Sequence, residues 1–333
     1  MSHKQTKIHQ PICPKCGYDQ SGEIFTWTSQ CPLQGTCPEC GLELLWADVF
    51  DPSRVHLSWY IEHTKQVNAG LRRIPSTLWK MLIPNRFWKR LTVQSPVYPH
   101  RLWAWIGAGM LALYMYRTVV SIALNAYSTF RWNQLADDAV AQNMISVLNA
   151  AKIKANMTRE PYWIDLILDS GSHSIKQVLS GEDSATQFAL IILAMVLIWT
   201  LIMTVVPATR RIAQLRMEHI YRATALSFAV VLVGFILVST SETLAEIFNM
   251  AGMRVSGAWG NSFSASQTRF NNAEYYSRLA ISIAFIAIIV WTQWFWIAAI
   301  VRGWRVRSFM LPVLGLITSL LAGFTALVYI EVY

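Results

Sequence analysis

Five long apolar stretches constrain the fold of this chain more than any other feature of its sequence. They cover residues 102–126, 188–206, 223–241, 279–301 and 309–330. Each is close to the ~20 apolar residues that a helix needs to cross a bilayer. Helices satisfy their own backbone hydrogen bonds in hydrocarbon, and continuous apolar runs of this length indicate helices. The sequence therefore predicts an all-α polytopic membrane protein with a five-helix transmembrane bundle.

The rest of the chain divides around these stretches. Hydrophobic residues make up 54% of the chain and charged residues 14%, yet no long apolar run occurs before Leu102. We therefore expect no signal peptide and a soluble N-terminal extension. The expected domains are a ribbon with a disordered N-terminus at 1–50, a basic and aromatic collar at 51–101, and a transmembrane domain at 102–333.

Two C-x-x-C pairs near the N-terminus predict a metal site. Cys13 and Cys16 form the first pair, and Cys37 and Cys40 form the second. Two such pairs at this separation are typical of a four-thiolate structural zinc site, so Zn²⁺ is the expected cofactor. The spacing of Cys31 to Cys37 fits a ligand pair poorly, and we interpret Cys31 as a bystander, with a redox or alternative-ligand role as the other interpretation. Because zinc needs reduced thiols, the ribbon is expected in the cytosol.

The collar is rich in cations and aromatic rings and is interrupted by prolines. Its prolines are expected to cut it into short pieces, with one helix ending near Ile74 and another starting after Ser76. Trp79, Phe87 and Trp88 lie among cations, which suits the headgroup layer of a bilayer. The collar is thus predicted to be an interfacial anchor, or alternatively a surface that senses lipid or docks a partner.

Arginine-rich connections predict the orientation of the spans. They are Arg210, Arg211, Arg216 and Arg222 in the second connection, and Arg302, Arg305 and Arg307 in the fourth. Short loops rich in Lys and Arg stay in the cytoplasm. This places the N-terminus inside, the C-terminus outside, and the whole protein in the inner (cytoplasmic) membrane. The outer connections are then an amphipathic insertion at 131–187 and a flexible loop at 248–277.

Ionisable and small residues inside the spans suggest structural roles. Arg117 is the basic residue within a span, and its expected partner is Glu242 or Glu246. Small residues recur at helical spacing at Ala104, Ala108 and Ala112 and at Gly315, Ser319 and Gly323, which predicts close helix packing. The sequence shows no nucleophile with a base, no intramembrane histidine and no phosphate-binding glycine loop, so we predict no catalytic residues and no enzyme activity.

The ribbon and collar resemble those of a group of uncharacterised bacterial membrane proteins. These proteins begin with a C-P-x-C-G-Y ribbon closed by C-P-E-C-G and continue into a collar similar to residues 78–90. The resemblance implies a structural zinc ribbon attached to several spans. The five-span layout with the N-terminus inside is also similar to that of Yip-type membrane proteins, which are partners of small GTPases in membrane traffic. That second similarity rests on layout, and no functional residue transfers from it.

These features favour a non-enzymatic membrane scaffold or adaptor. The ribbon and the basic collar would engage a cytosolic protein partner, and the bundle would contact the lipid bilayer. The alternative is a small-solute transporter or channel with a structural zinc ribbon, which a water-accessible path to Arg117 or Gln293 would favour. Between Cys13 and Cys40 the ribbon carries one cation, Lys15, against three acids, so nucleic acid is not an expected partner.

Overall fold

The computed structural model describes residues 10–28, 30–141, 146–147, 149, 151, 184–205, 213–252, 263–306 and 308–332. In the ribbon the elements are α1 (Ser21–Phe25), β1 (Gln34–Thr36), β2 (Glu43–Leu45) and α2 (Trp46–Phe50). The collar contains 3₁₀ turns at Pro52–Val55 and Ile61–His63, then α3 (Val67–Met81) and α4 (Pro84–Arg90). The long helices are α5 (Pro99–Ala141), α6 (Ser184–Val205), α7 (Met217–Gly252), α8 (Phe263–Ala298) and α9 (Met310–Val332), and a π-helical turn at Ala299–Gly303 follows α8.

The chain forms two compact units. The first unit comprises Met1–Ile106, Ile191–Val230 and Val290–Val328. The second comprises Gly107–Leu190, Val231–Ile289 and Tyr329–Tyr333. The ribbon and collar share a unit with segments of α6, α7, α8 and α9, and side chains of α7 and α8 pack on them.

Three helices are long and apolar enough to cross a membrane. They lie at Pro99–Phe130, Met217–Ser241 and Ser282–Gly303. Two shorter apolar helices, Ala189–Val205 and Met310–Ala326, coincide with the remaining predicted spans. The three long helices indicate a membrane protein, as predicted, whereas five spans remain a prediction.

Two connections are more helical than the sequence analysis expected. α5 has 43 residues, or about 64 Å at 1.5 Å per residue, and it continues past the predicted span into the first part of the 131–187 insertion. The predicted flexible loop at 248–277 is largely helix as well, because α7 ends at Gly252 and α8 begins at Phe263. Neither helical extension contains a proline, and glycine interrupts them only at the end of α7, so nothing stops the helices where the apolar residues end. The remainder of the predicted insertion, at 152–183, lies outside the described residues.

Helix α3 runs through Pro75, where a break was expected. Proline removes one backbone donor from a helix interior, which is unfavourable on its own. The hydroxyl groups of Ser76 and Thr77 donate to the carbonyl oxygen of Trp59 at 2.8 and 3.1 Å, and Thr77 Oγ1 accepts from the Ile61 amide at 3.2 Å. These bonds tie the second half of the helix to the preceding 3₁₀ turn. Tertiary contacts therefore override the local signal of Pro75.

The small residues of α9 pack as predicted, whereas those of α5 do not. Gly315, Ser319 and Gly323 are all buried. A Cβ atom at Gly315 would lie 2.0 Å from the Trp199 ring, so only glycine allows this approach of α9 to α6. Ala104, Ala108 and Ala112 are exposed within the chain. The predicted packing of this second stripe is therefore wrong for contacts within one chain.

Candidate metal centre and the buried ion pair that shares its unit

The structure brings the four predicted ligands Cys13, Cys16, Cys37 and Cys40 together. Their sulfur atoms all lie within 4.8 Å of one another. Cys13 Sγ is 3.7 Å from Cys40 Sγ, and Cys16 Sγ is 3.6 Å from Cys37 Sγ. Sulfurs at the corners of a tetrahedron with ~2.3 Å metal bonds would be ~3.8 Å apart. The four thiols therefore have the spacing that a tetrahedral metal ion requires.

The two cysteine pairs have the same backbone conformation. In the first, the Cys13 amide donates to Tyr18 and the Gly17 amide donates back to Cys13, at 2.8 and 3.0 Å. In the second, the Cys37 amide donates to Leu42 at 3.0 Å and the Gly41 amide to Cys37 at 2.9 Å. Gly17 and Gly41 have φ angles of 83° and 64°, which glycine adopts without strain. Each C-x-x-C-G sequence thus folds into the same tight knuckle, and two knuckles make the site.

Burial and backbone hydrogen bonds shift the pKa of three of the four thiols. Burial raises the pKa of Cys16 to about 11 and raises the pKa of Cys40 further. For Cys37, burial acts in the same direction, but hydrogen bonds from the backbone of Cys40 and Glu39 outweigh it and lower the pKa. A divalent ion would stabilise all four thiolates and offset the cost of burying them.

Cys31 lies apart from the four thiols. It is exposed, and its thiol donates to the neighbouring Pro32 carbonyl at 3.4 Å. Among the residues that the structure describes, the group able to hold a metal consists of the other four cysteines. This arrangement agrees with the interpretation of Cys31 as a bystander, which metal analysis can test.

The start of α7 is attached to both knuckles. The Arg216 amide donates to Lys15 O at 2.8 Å, and His219 Nε2 donates to Pro14 O at 2.7 Å. Gln214 Nε2 donates to Glu39 O, in the second knuckle, at 2.9 Å. The sequence predicts this region to be a loop that supplies positive charge. In the structure it also fixes the ribbon to the first turn of a membrane-spanning helix.

A buried ion pair joins the collar to the same helix. Arg222 Nε lies 2.8 Å from Glu62 Oε2, with side-chain exposures of 1% and 0%. The Arg222 guanidinium also donates to the carbonyl oxygens of Ser95 and Pro96, and the second Glu62 oxygen accepts from the Tyr98 amide. Breaking a buried pair leaves an uncompensated charge, so this pair holds the collar on α7.

Neutral rings surround the ion pair. The Leu57 amide donates to His63 Nδ1 at 2.7 Å, so the proton of His63 lies on Nε2, which donates to Pro96 O at 3.1 Å. Burial, and then the nearby charge of Arg222, lower the pKa of His63 to about 3. Burial, and then the charge of Glu62, raise the pKa of Tyr60 well above its usual value. Both rings are therefore uncharged at neutral pH.

The aromatic residues of the collar divide between the surface and the core. Trp79 is exposed, as a headgroup location requires, whereas Phe87 and Trp88 are buried. Trp88 packs against Phe295 and Trp304, with ring centroids 5.2 and 6.1 Å away. The predicted headgroup location therefore fails for Phe87 and Trp88, because α4 packs on the end of α8.

A second polar cluster lies between three apolar helices. Gln293 Oε1 accepts hydrogen bonds from Trp199 Nε1 at 3.0 Å and from Ser319 Oγ at 2.8 Å. Gln293 Nε2 is buried and has no hydrogen-bond partner among the described residues. The Trp199 and Trp296 rings stack in parallel, 5.7 Å apart. Trp296 thus packs in the core, and the cluster ties α6, α8 and α9 together.

The predicted partners of Arg117 fall outside the description. The side chains of Glu242 and Glu246 lie outside the described residues, so their pairing with Arg117 stays a prediction. The Arg117 guanidinium lies 5.2 Å from the centre of the Phe235 ring, about two turns before Glu242 and three turns before Glu246 along α7. This contact is consistent with a cation–π interaction.

Sequence reasoning missed the pair formed by Glu62 and Arg222. Glu62 follows Trp59, Tyr60 and Ile61, and this apolar context was the available signal that the carboxylate would be buried. His219 and Arg222 lie one helical turn apart, which places both on one face of α7. Neither signal identifies the partner, because the pair joins segments far apart in the chain. Comparison with protein-family models, curated proteins and solved structures finds no match for this chain.

Proposed function

We propose that the protein is a non-enzymatic membrane scaffold or adaptor that binds a cytosolic protein partner through its ribbon and collar. The observation that carries this proposal is the attachment of both knuckles to α7 by Gln214, Arg216 and His219. A binding surface that is already held in place loses little conformational freedom on binding. The attachment thus suits a surface that presents itself to a partner.

The exposed side chains of the ribbon support a partner surface. Phe25 and Leu33 are 88% and 87% exposed, far more than apolar side chains of that size usually are. In the collar, α4 buries Phe87 and Trp88 and leaves its cations exposed, namely Arg86, Lys89 and Arg90. The partner would meet apolar anchors on the ribbon and positive charge on α4.

We further propose zinc as the ion and the cytosol as the compartment of the ribbon. Four thiolates in a closed tetrahedral set are typical of structural zinc, which requires reduced thiols. Five spans, with the N-terminus inside and the C-terminus outside, then place the exposed Arg302 and Arg305 on the ribbon side of the inner membrane.

The test is a crosslinked pull-down of the full-length protein from native membranes. The variant Phe25→Asp/Leu33→Asp should lose the partner, because charge replaces both apolar anchors. The matched control Thr28→Asp/Gln34→Asp adds the same charge at exposed ribbon positions and should keep it. Metal content verifies that both variants fold. If the same proteins are recovered with all three forms, the adaptor proposal fails, and full activity of a chain lacking residues 1–50 would instead support the transporter alternative.

A further inference from the structure

Helix α3 presents an apolar face that nothing in the described chain covers. Val67, Leu71, Trp79 and Leu82 are 67%, 53%, 75% and 55% exposed. At ~100° per residue, Val67, Leu71, Leu78 and Leu82 fall within ~60° of one another around the helix. The buried residues Gly70, Thr77 and Met81 form an adjacent face, centred ~90° away around the helix. α3 therefore has one face that packs on protein and a separate apolar face that is left uncovered.

Helix α3 lies against the start of α5. A Cβ atom at Gly70 would lie 2.2 Å from Trp105, so the two helices touch closely at this point. Trp105 is in the second turn of the apolar helix Pro99–Phe130, about 9 Å from its start. Interfacial helices bury their apolar face ~5–10 Å into the boundary between headgroups and acyl chains. The contact with the second turn of α5 is therefore compatible with an interfacial position for α3.

The residues at the edge of the apolar face favour a lipid surface over a protein. Arg72 is exposed beside Leu71, and Lys65 is exposed just before α3 begins. Trp79 is the single aromatic residue of α3, and tryptophan is the type of side chain that concentrates at membrane interfaces. Apolar side chains flanked by cations and an indole are the chemistry that binds an anionic bilayer surface.

We propose that α3 lies in the plane of the membrane, with Leu71, Leu78 and Leu82 inserted among the lipids of the ribbon-side leaflet and Arg72 on their headgroups. The ligand is an anionic phospholipid surface. This inference rests on the geometry of the collar and is independent of the partner that the ribbon binds. It gives the collar a lipid-binding face distinct from the cations of α4.

Site-specific photocrosslinking in the full-length protein tests this proposal. Benzoylphenylalanine replaces Leu71, Trp79 or Leu82 in turn, and the control replaces Phe25 on the ribbon. The protein is irradiated in nanodiscs of phosphatidylcholine with phosphatidylglycerol, and adducts are identified by mass spectrometry. Positions 71 and 82 should give at least about tenfold more phospholipid adducts than position 25, because acyl chains are confined to the interfacial layer and below. Metal content verifies folding, and the exposed position 79 provides a replacement that disturbs no packing.

Two results would overturn the proposal. One is crosslinking of positions 71 and 82 to a second copy in nanodiscs, or to another protein in native membranes. The other is a yield of lipid adducts no higher than at position 25. The role of charge is tested with Arg72→Gln, which should lower the ratio of phosphatidylglycerol to phosphatidylcholine adducts by up to about fivefold, the factor for one basic side chain at an anionic surface. An unchanged ratio would remove the anionic lipid from the proposal.

Discussion

The four-cysteine centre and the ion pair of Glu62 with Arg222 attach neighbouring parts of the chain to the same helix by different means. The ribbon reaches α7 through the backbone carbonyls of its knuckles, whose shape depends on four thiols. The collar reaches α7 through two charged side chains that neutralise each other. In our proposal the first attachment depends on a bound metal ion, whereas the second carries its own counter-charge. The two should therefore respond differently to metal removal, mutation and pH.

The largest expected effect is unfolding of the ribbon when the proposed metal ion cannot bind. Structural zinc contributes ~10–16 kcal/mol of binding free energy in small zinc domains, and the ribbon is too small to fold on its short helices and strands alone. Cys16→Ser should therefore lose the metal and the amide protection of residues 10–50 in hydrogen exchange. Cys31→Ser should keep both, because its thiol lies apart from the other four.

The same experiment tests the independence of the two attachments. Hydrogen-exchange protection of collar amides near Tyr60 and Tyr98 should survive in Cys16→Ser, since Glu62 and Arg222 need no metal. If collar protection disappears together with the ribbon, the two attachments are one cooperative unit. If Cys31→Ser loses the metal as completely as Cys16→Ser, the ligand assignment is wrong.

Breaking the ion pair should cost less than metal loss but more than a surface mutation. Glu62→Gln leaves the Arg222 charge buried and unpaired, which typically destabilises a protein by ~3–5 kcal/mol. We expect a clearly lower midpoint of thermal unfolding with unchanged metal content. Glu43 is exposed and provides a control. The variant Glu43→Gln should change the free energy of unfolding by no more than ~0.5 kcal/mol. The double variant Glu62→Gln/Arg222→Met should be more stable than Glu62→Gln alone, and equal or lower stability would contradict a charge-pairing role.

His63 predicts how the collar responds to acid. Its pKa in the folded protein is about 3, below the usual 6.5, so the unfolded chain binds a proton that the folded protein does not. Stability therefore falls as pH drops below about 6.5 and continues to fall toward pH 3, by at most ~1.4 kcal/mol per pH unit. By pH 5 the loss should be ~2 kcal/mol. Acid also releases metal from thiolates, which lowers the stability of any variant that keeps the four cysteines. The measurement is therefore the difference between the wild type and His63→Gln in how steeply the free energy of unfolding depends on pH.

In His63→Gln, the side-chain amide of the glutamine can still form hydrogen bonds with Leu57 and Pro96, but it does not titrate in this range. Its unfolding free energy should depend less on pH between 7 and 5 than that of the wild type. Parallel pH profiles for the two proteins would show that His63 is not a source of acid sensitivity.

The sequence predicted the features that are local and missed those that join distant segments. The metal site depends on spacings within 28 positions, from Cys13 to Cys40, and each knuckle needs one glycine, so the pattern is complete in the sequence. The spans depend on summed apolar character, which tertiary structure seldom overrides. The predicted helix break at Pro75 is wrong because hydrogen bonds to Trp59 and Ile61 outweigh the local effect of the proline.

Burial of charge was the feature least accessible from sequence. Arg222 and Arg216 carry the same charge in the same stretch, yet Arg222 is buried on Glu62 whereas Arg216 forms a half-exposed pair with Glu218. A rule that counts cations near a span treats both alike. Only the fold decides which of them meets a carboxylate in the collar, because that carboxylate lies far away in the chain.

The smallest expected effect concerns Gln214, whose side chain links the second knuckle to the start of α7. Gln214 has a φ angle of 46°, in the left-handed region, so its backbone is strained for a non-glycine residue. Gln214→Ala keeps that strain and removes the hydrogen bond to Glu39 O, which should cost ~0.5–1.5 kcal/mol. Gln214→Gly removes the same bond but relieves the strain, so it should cost less than Gln214→Ala. The measurement is the local opening free energy of the Cys37 and Gly41 amides from native-state hydrogen exchange. If Gln214→Ala leaves these amides unchanged, the contact with the second knuckle is incidental, and the ribbon is held on α7 by its first knuckle alone.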